Sequence, residues 1–257
     1  MLESIIDGDF FRSICDISIG DELPNKQRIL IYADIELSKD ALRVISDNAD
    51  KTFTLVTHNS DLSVTDKNIP DNLEHWYTQN LDCVHPRISP LPIGLENQKW
   101  HPMKKNVMKL ALQNRENANR KKKALCQFNP VTFRQERQNL LSMVLNNNIY
   151  ADPFYCLNGV GFEVYADNLT KYQFCLCPRG NGIDTHRMWE SIVLGCIPIA
   201  KNHISHQFEE ELPIVFVDSW LEIDKEFLEE KYQCINRELF KTPLLTKKYW
   251  QNKICNT

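Results

Sequence analysis

The chain has 257 residues, 42% hydrophobic and 25% charged, with a formal net charge of −4. This is the composition of a folded globular protein long enough for one large core or two small ones, and it excludes disordered and fibrous classes. The slight excess of acid argues against a dedicated nucleic-acid binder, which shows a clearly basic domain.

The opening MLESIIDGDFF holds early acids and no signal-like apolar run, and no later stretch reaches the length of a membrane span. The expectation is a soluble, cytoplasmic protein with no membrane span. The nine cysteines are odd in number, scattered and without CxxC spacing, which predicts free thiols in a reducing compartment.

Residues 28 to 34 (RILIYAD) and 51 to 57 (KTFTLVT) are apolar runs of strand length, and the LSKDALRVISDNA between them is helix-compatible. This is a β-α-β unit of a parallel sheet. Ligands of open α/β sheets bind outside the carboxyl ends of strands, so His58 and Asp61, in the segment after the second run, are candidate functional residues. Short strands broken by Pro86, Pro90 and Pro92 follow, then a helix over 101–120 ending in the basic cluster Arg115, Arg120, Lys121, Lys122 and Lys123. A charge run at a helix end is usually a solvated face, and this one marks a domain boundary.

After it the βαβ logic repeats: a strand over 124–128, a helix over 130–145, a strand over 172–177, a motif helix, and strands over 197–200 and 214–217. Cys175 and Cys177 alternate with Leu176 and share one face of their strand. Ser219 and Glu222 form a capping-box pattern, which makes Asp218 a capping or strand-end acid. The final TKKYWQNKI reads as a helix. Asn168-Leu169-Thr170 is a formal glycosylation sequon, incidental in a cytosolic chain.

The segment from Tyr172 to Ala200, YQFCLCPRGNGIDTHRMWESIVLGCIPIA, reads as strand, glycine-rich loop, helix, glycine stop and strand. Gly180 and Gly182 allow a tight turn and close ligand approach, and Asp184 or Thr185 is the N-cap of the helix. His186 and Arg187 in the first turn are unfavourable for the helix dipole alone, and an external phosphate would offset that cost. Glu190, three residues after Arg187, shares its face and can accept two hydroxyls, as from a ribose. Arg187 and Glu190 also read as a simple i,i+3 ion pair. The third glycine of the dinucleotide GxGxxG pattern is absent, because Thr185 stands there.

PRGNGIDTHRMWESIVLGCIPI resembles the donor segment of the exostosin-like glycosyltransferases, whose members carry a run P-x-G-x-G-x-D-x-H-R-x-W-E and a later G-x-I-P. THNSD at Thr57 to Asp61 and PLPIGLENQKW at Pro90 to Trp100 resemble the family's amino-terminal landmarks, so the likeness spans about residues 50 to 222. The resemblance implies an α/β protein of the GT-B fold, two small Rossmann-like domains facing across a cleft, and inverting transfer from a nucleotide sugar. The expected division is 1–122 for the acceptor side, 123–243 for the donor side and 244–257 for a helix packing back on the first domain. Many relatives are membrane-anchored, so this chain is either a free-standing form or a trimmed one. It also resembles exostosin-like xylosyltransferases encoded by large viruses of algae, which favours xylose as the sugar.

On this reading a UDP-sugar donor meets a glycan acceptor. Arg187 and His186 stabilise the diphosphate leaving group, Glu190 holds ribose, and Arg179, Gly180, Asn181, Gly182 and Asp184 line the donor pocket. Asn129, Thr132 and Arg134 are further donors to the diphosphate, or simply an exposed helix start. Asp61 is the first candidate for the general base, His58 the second and Glu96 a third, while Trp100 is an acceptor-stacking platform or core. No cofactor or metal is expected: no DxD triplet follows any of the expected strands, and His203 with His206 reads as a surface loop. A nucleotide-sugar hydrolase and a non-catalytic nucleotide-binding module are the alternatives.

Overall fold

Residues 2–114, 119–154, 161–203 and 211–256 are described by the computed structural model of the chain. Arg115, Cys156 and His206 lie outside the described residues. After a short helix α1 (Gly8–Ser13), the first sheet comprises β1 (Ile17–Ser18), β2 (Arg28–Asp34), β3 (Thr52–His58), β4 (Leu73–Thr78) and β5 (Ile88–Pro90). Its strands are all parallel, in the order β1-β2-β3-β4-β5. Parallel strands covered on both faces read as near-continuous apolar runs, which is why β2 and β3 show little polar alternation. Helix α2 (Ser38–Asp47) completes the expected β-α-β unit and buries Ala41, Leu42 and Ile45.

Helix α3 (Lys104–Asn114) leads to the second sheet, formed by β6 (Lys121–Cys126), β7 (Ala151–Pro153), β8 (Tyr172–Leu176), β9 (Ile197–Lys201) and β10 (Val215–Val217). These strands too are all parallel, in the order β10-β9-β8-β6-β7. Helices α4 (Arg134–Leu145), α5 (Phe162–Lys171), α6 (His186–Val193) and α7 (Lys225–Cys234) accompany it, and α8 (Lys247–Cys255) follows them in the chain. The chain is therefore mixed α/β, with two five-stranded parallel sheets flanked by helices, a Rossmann-like arrangement. In the second sheet the winding reverses between β6 and β8, so a crevice opens at their carboxyl ends.

Three apolar clusters hold the layers together. One packs α2 against the outer face of the first sheet through Ile29, Ile31, Phe53 and Leu55. Another packs α4 and α7 against the second sheet through Cys126, Phe174, Leu176 and Leu228. The third is continuous from one sheet to the other: Tyr32, Val56 and Tyr77 join Leu125, Cys175, Cys177, Trp189 and Trp250. Cys175 and Cys177 thus face the same, central core, and both are free thiols.

Several local expectations change. Lys121 to Lys123 open β6 and do not end a helix; Lys121 and Lys123 pair with Asp152 of β7 at 3.4 and 2.9 Å. A division between residues 122 and 123 would cut this strand. Helix α4 begins at Arg134 because Phe133 adopts a left-handed backbone, φ 42°, that ends the preceding turn. The Ser219–Glu222 capping box is present but closes a 3-10 turn, with α7 starting after Asp224. Helix α8 lies against the amino-terminal segment, with Trp250 edge-on to Phe11 at 6.0 Å. Among the described residues no helix is long and apolar enough to cross a membrane.

Candidate active site

The loops leaving β6 and β8 run side by side at the point where the winding reverses. Arg137 of α4 is 6% exposed and ties them together. Its Nε donates to the carbonyl of Arg179 at 2.8 Å, Nη1 to that of Asn129 at 3.2 Å and Nη2 to that of Pro178 at 3.4 Å. Arg187, in the first turn of α6, donates from Nη1 to the carbonyl of Gln127 and lies 4.7 Å from the centre of the Tyr165 ring. Neither guanidinium forms an ion pair with a carboxylate among the described residues. Burial and the Arg187 charge pull the Arg137 pKa down to about 10, so it remains a cation at neutral pH. Close by, Arg187 Nε, Gln127 Nε2 and the Tyr165 hydroxyl are buried without a hydrogen-bond partner among the described residues. A buried donor left unmet costs about 1–3 kcal/mol, so three in one place mark a strained, polar spot.

The glycine-rich loop differs from expectation. A Cβ on Gly180 would make ordinary contact, with Arg137 Nη2 nearest at 3.5 Å. On Gly182 it would come within 2.8 Å of Asn80 Nδ2, which is itself held by the carbonyl of Ser60 at 2.8 Å. Gly182 is therefore required by the close approach of the first half of the chain. Asn80 Oδ1 also accepts the backbone amides of Ile183 and Asp184, at 2.9 and 3.0 Å. Asp184 is turned inward and is 4% exposed. Its carboxylate accepts from Ile93 N at 2.8 Å, Thr185 N at 2.7 Å and Trp189 Nε1 at 2.9 and 3.0 Å. Burial pushes its pKa up to about 7 against those hydrogen bonds. Asp184 is thus a structural acid and not a pocket-lining one; the N-cap position falls to Thr185, whose side chain makes no capping bond.

The remaining donor-side residues are spread over the same rim. Arg179 lies over the Phe133 ring at 4.3 Å and donates from Nη2 to the carbonyl of Asn181 at 2.9 Å. Asn129 uses Oδ1 locally, accepting from Val131 N at 3.0 Å, while Thr132 is half-buried and Arg134 exposed. His186 Nδ1 sits 2.8 Å from the carbonyl of Gly94. Glu190 is 3% exposed, and its Oε1 lies 3.3 Å from Lys104 Nζ, which also binds Glu96 Oε2 at 2.7 Å. Lys104 thereby joins one carboxylate from each half. Burial works to raise Glu96, but the hydrogen bond and charge of Lys104 hold it below the usual carboxylate range. Glu190 Oε2 makes no hydrogen bond among the described residues.

Opposite α6 the carboxyl ends of the first sheet open into a cleft of about 410 Å³, lined among others by Asp61, Glu96, Trp100 and His186. Asp61 is exposed there, and its Oδ2 accepts from Asn181 Nδ2 at 3.2 Å. The first-choice base thus meets the glycine loop. His58 does not reach the cleft: it is 1% exposed, with Nε2 3.1 Å from the carbonyl of Pro92 and Nδ1 3.2 Å from Asn59 Oδ1. Burial pulls its pKa down to about 4, and it is a structural histidine.

Sequence reasoning missed Arg137, Asn80 and Lys104. Each acts through a partner more than forty positions away, so no local spacing signals it. Asn168 of the sequon is 6% exposed and donates to Gln127 Oε1 at 2.9 Å, which closes it to modification in the folded chain. His203 lies 3.3 Å from Asp82. Among the described residues no group of three or more His, Cys, Asp or Glu side chains is arranged to hold a metal. No protein-family model matches the chain, and no curated protein matches it.

Proposed function

We propose that the chain is an inverting glycosyltransferase of the GT-B type that moves a sugar, with xylose favoured, from a UDP-sugar to a glycan hydroxyl. The observation that carries this reading is the pair of guanidiniums, buried Arg137 and half-buried Arg187, at the reversal point of a parallel sheet without a carboxylate partner among the described residues. A cation taken out of water without a counter-ion is costly, and two together, Arg137 from α4 and Arg187 from the first turn of α6, call for an anion of matching charge, as a diphosphate supplies. Arg187 and His186 neutralise charge that grows as the diphosphate leaves, which favours the transition state over the ground state. Across the cleft Asp61 takes the proton of the acceptor hydroxyl as its oxygen attacks the anomeric carbon from the face opposite the diphosphate. The sugar–oxygen bond to the diphosphate breaks, and UDP departs with the electron pair.

The two halves assemble this chemistry from opposed strand ends, which supports the GT-B arrangement. A nucleotide-sugar hydrolase would need the same donor wall but no acceptor room; the 410 Å³ cleft beside Asp61 favours transfer. Calorimetric titration with UDP and GDP tests the reading. Arg187→Ala lowers UDP affinity at least tenfold and turnover by about 10²–10³; unchanged UDP binding by this variant overturns the donor assignment.

A further inference from the structure

The cleft opposite α6 has a chemistry of its own. Its walls carry the carboxylates of Glu36, Asp61 and Glu96 together with several side-chain amides and the His186 imidazole, while among the described residues no Lys or Arg lines it. Behind the wall a second acid, Glu190, shares Lys104 with Glu96, so one ammonium serves two carboxylates. At the rim stands Trp100, 65% exposed, whereas Trp76, Trp189, Trp220 and Trp250 are 4% exposed or less. Lys99 Nζ lies 5.0 Å from the centre of this indole, at the rim and outside the cleft lining; the ring offers a flat apolar surface at the mouth of a polar cleft, and the surrounding amides and carboxylates offer hydrogen-bond acceptors and donors for hydroxyls.

We infer that the acceptor is an uncharged glycan that stacks a pyranose ring on Trp100, and that the cleft rejects uronate and sulfated sugars. The inference rests on the transferase reading for the word acceptor, but the preference itself is a property of the cleft. An anionic sugar entering it meets the carboxylates of Glu36, Asp61 and Glu96, with Lys104 already shared by Glu96 and Glu190, His186 Nδ1 held at the carbonyl of Gly94 and Lys99 outside the lining, and like-charge juxtaposition disfavours the wrong partner. The stacked ring replaces water on Trp100 without charge, and its hydroxyls find partners such as Asn59, Gln79 and Asn97 on the floor.

Trp100 also supplies the readout, because a quencher in solution reaches it far more readily than the four buried tryptophans. Acrylamide quenching of the full chain is measured with xylobiose, cellobiose and lactose, and in parallel with digalacturonate and a sulfated heparin disaccharide. The neutral sugars protect the fluorescence; the acidic ones protect at least tenfold less at equal concentration. Trp100→Ala abolishes the protection, and Trp100→Phe retains neutral-sugar binding by calorimetry. Glu36→Lys narrows the gap between digalacturonate and cellobiose severalfold. Protection by the acidic sugars equal to or above that by the neutral ones overturns the inference, as does undiminished binding of the neutral sugars by Trp100→Ala. Calorimetry with UDP on the same sample separates the two readings. UDP binding without sugar discrimination leaves the transferase reading standing and removes this one, whereas neutral-sugar binding without UDP binding does the reverse.

Discussion

Asn80 Oδ1 accepts the backbone amides of both Ile183 and Asp184, at 2.9 and 3.0 Å, so one side chain of the first half holds the start of the glycine-loop helix in the second. Asn80→Ala leaves two buried N–H groups unmet and is predicted to destabilise by about 2–5 kcal/mol. Thermal melts check this. Gly182→Ala drives a Cβ into the same amide and is predicted to lower stability by about 1–3 kcal/mol, whereas Gly180→Ala, with room around it, leaves the melting temperature nearly unchanged. Equal losses from the two glycine variants would contradict the assignment.

Lys104 joins Glu96 to Glu190 across the two halves. Removing it strands Glu190, which is 3% exposed, so Lys104→Met is predicted to cost about 3–5 kcal/mol. Combining it with Glu190→Gln recovers part of that loss. A double-mutant cycle by chemical denaturation gives the coupling; additive losses would show that the pair does not interact.

Stability against pH carries opposing contributions from Asp184 and His58. The Asp184 carboxyl is raised to about 7, so its contribution is full below the unfolded aspartate value near 4 and is lost as pH rises through 7. The His58 imidazole is lowered to about 4, so its contribution is full above the unfolded histidine value near 6.5 and is lost as pH falls through 4. Between about pH 4 and 6.5 each slope is about 1.4 kcal/mol per pH unit and they oppose one another. Asp184→Asn therefore tilts the curve, making stability rise with pH over that window more steeply than in the parent. Denaturation midpoints at half-unit steps would show it; a parallel curve would remove Asp184 from the linkage.

On the proposed transferase reading Asp61, which lines the cleft, is the base in place of the buried His58. Asp61→Asn is predicted to lower transfer by about 10²–10⁴ while leaving UDP affinity within about twofold. Substitution of His58 by Gln is predicted to act on melting temperature first, because the ring lies inside the protein between Pro92 and Asn59. Rates measured at saturating donor, beside UDP calorimetry, distinguish the two.

The strand runs, the β-α-β unit, the motif helix and the terminal helix were legible in the sequence, because burial on both faces makes parallel strands apolar along their whole length. The order of the second sheet was not, since nothing in β7 says that it lies outside β6. Asp184 and Gly182 illustrate what a motif conceals. Both stand in the glycine-rich run, yet the carboxylate is spent on Ile93 and Trp189, and the glycine makes room for Asn80. Arg187 and Arg179 stand in the motif itself, whereas Arg137 carries no local signal, because the carbonyls it holds belong to loops that meet only in the folded chain.

The return of α8 to the amino-terminal segment makes the first half of this protein discontinuous along the chain. Ile6 N donates to the carbonyl of Leu245 at 3.1 Å, Ile5 bridges Thr246, and Lys247 Nζ lies 3.4 Å from Asp7 Oδ2, which Lys105 also reaches at 2.8 Å. A ribosome that has finished the first sheet has therefore not yet made the residues that seal it. The two halves must finish folding together once the segment from Leu245 to Trp250 has been made, and a fragment stopping before Thr246 would leave the Phe11 ring without the indole it packs against.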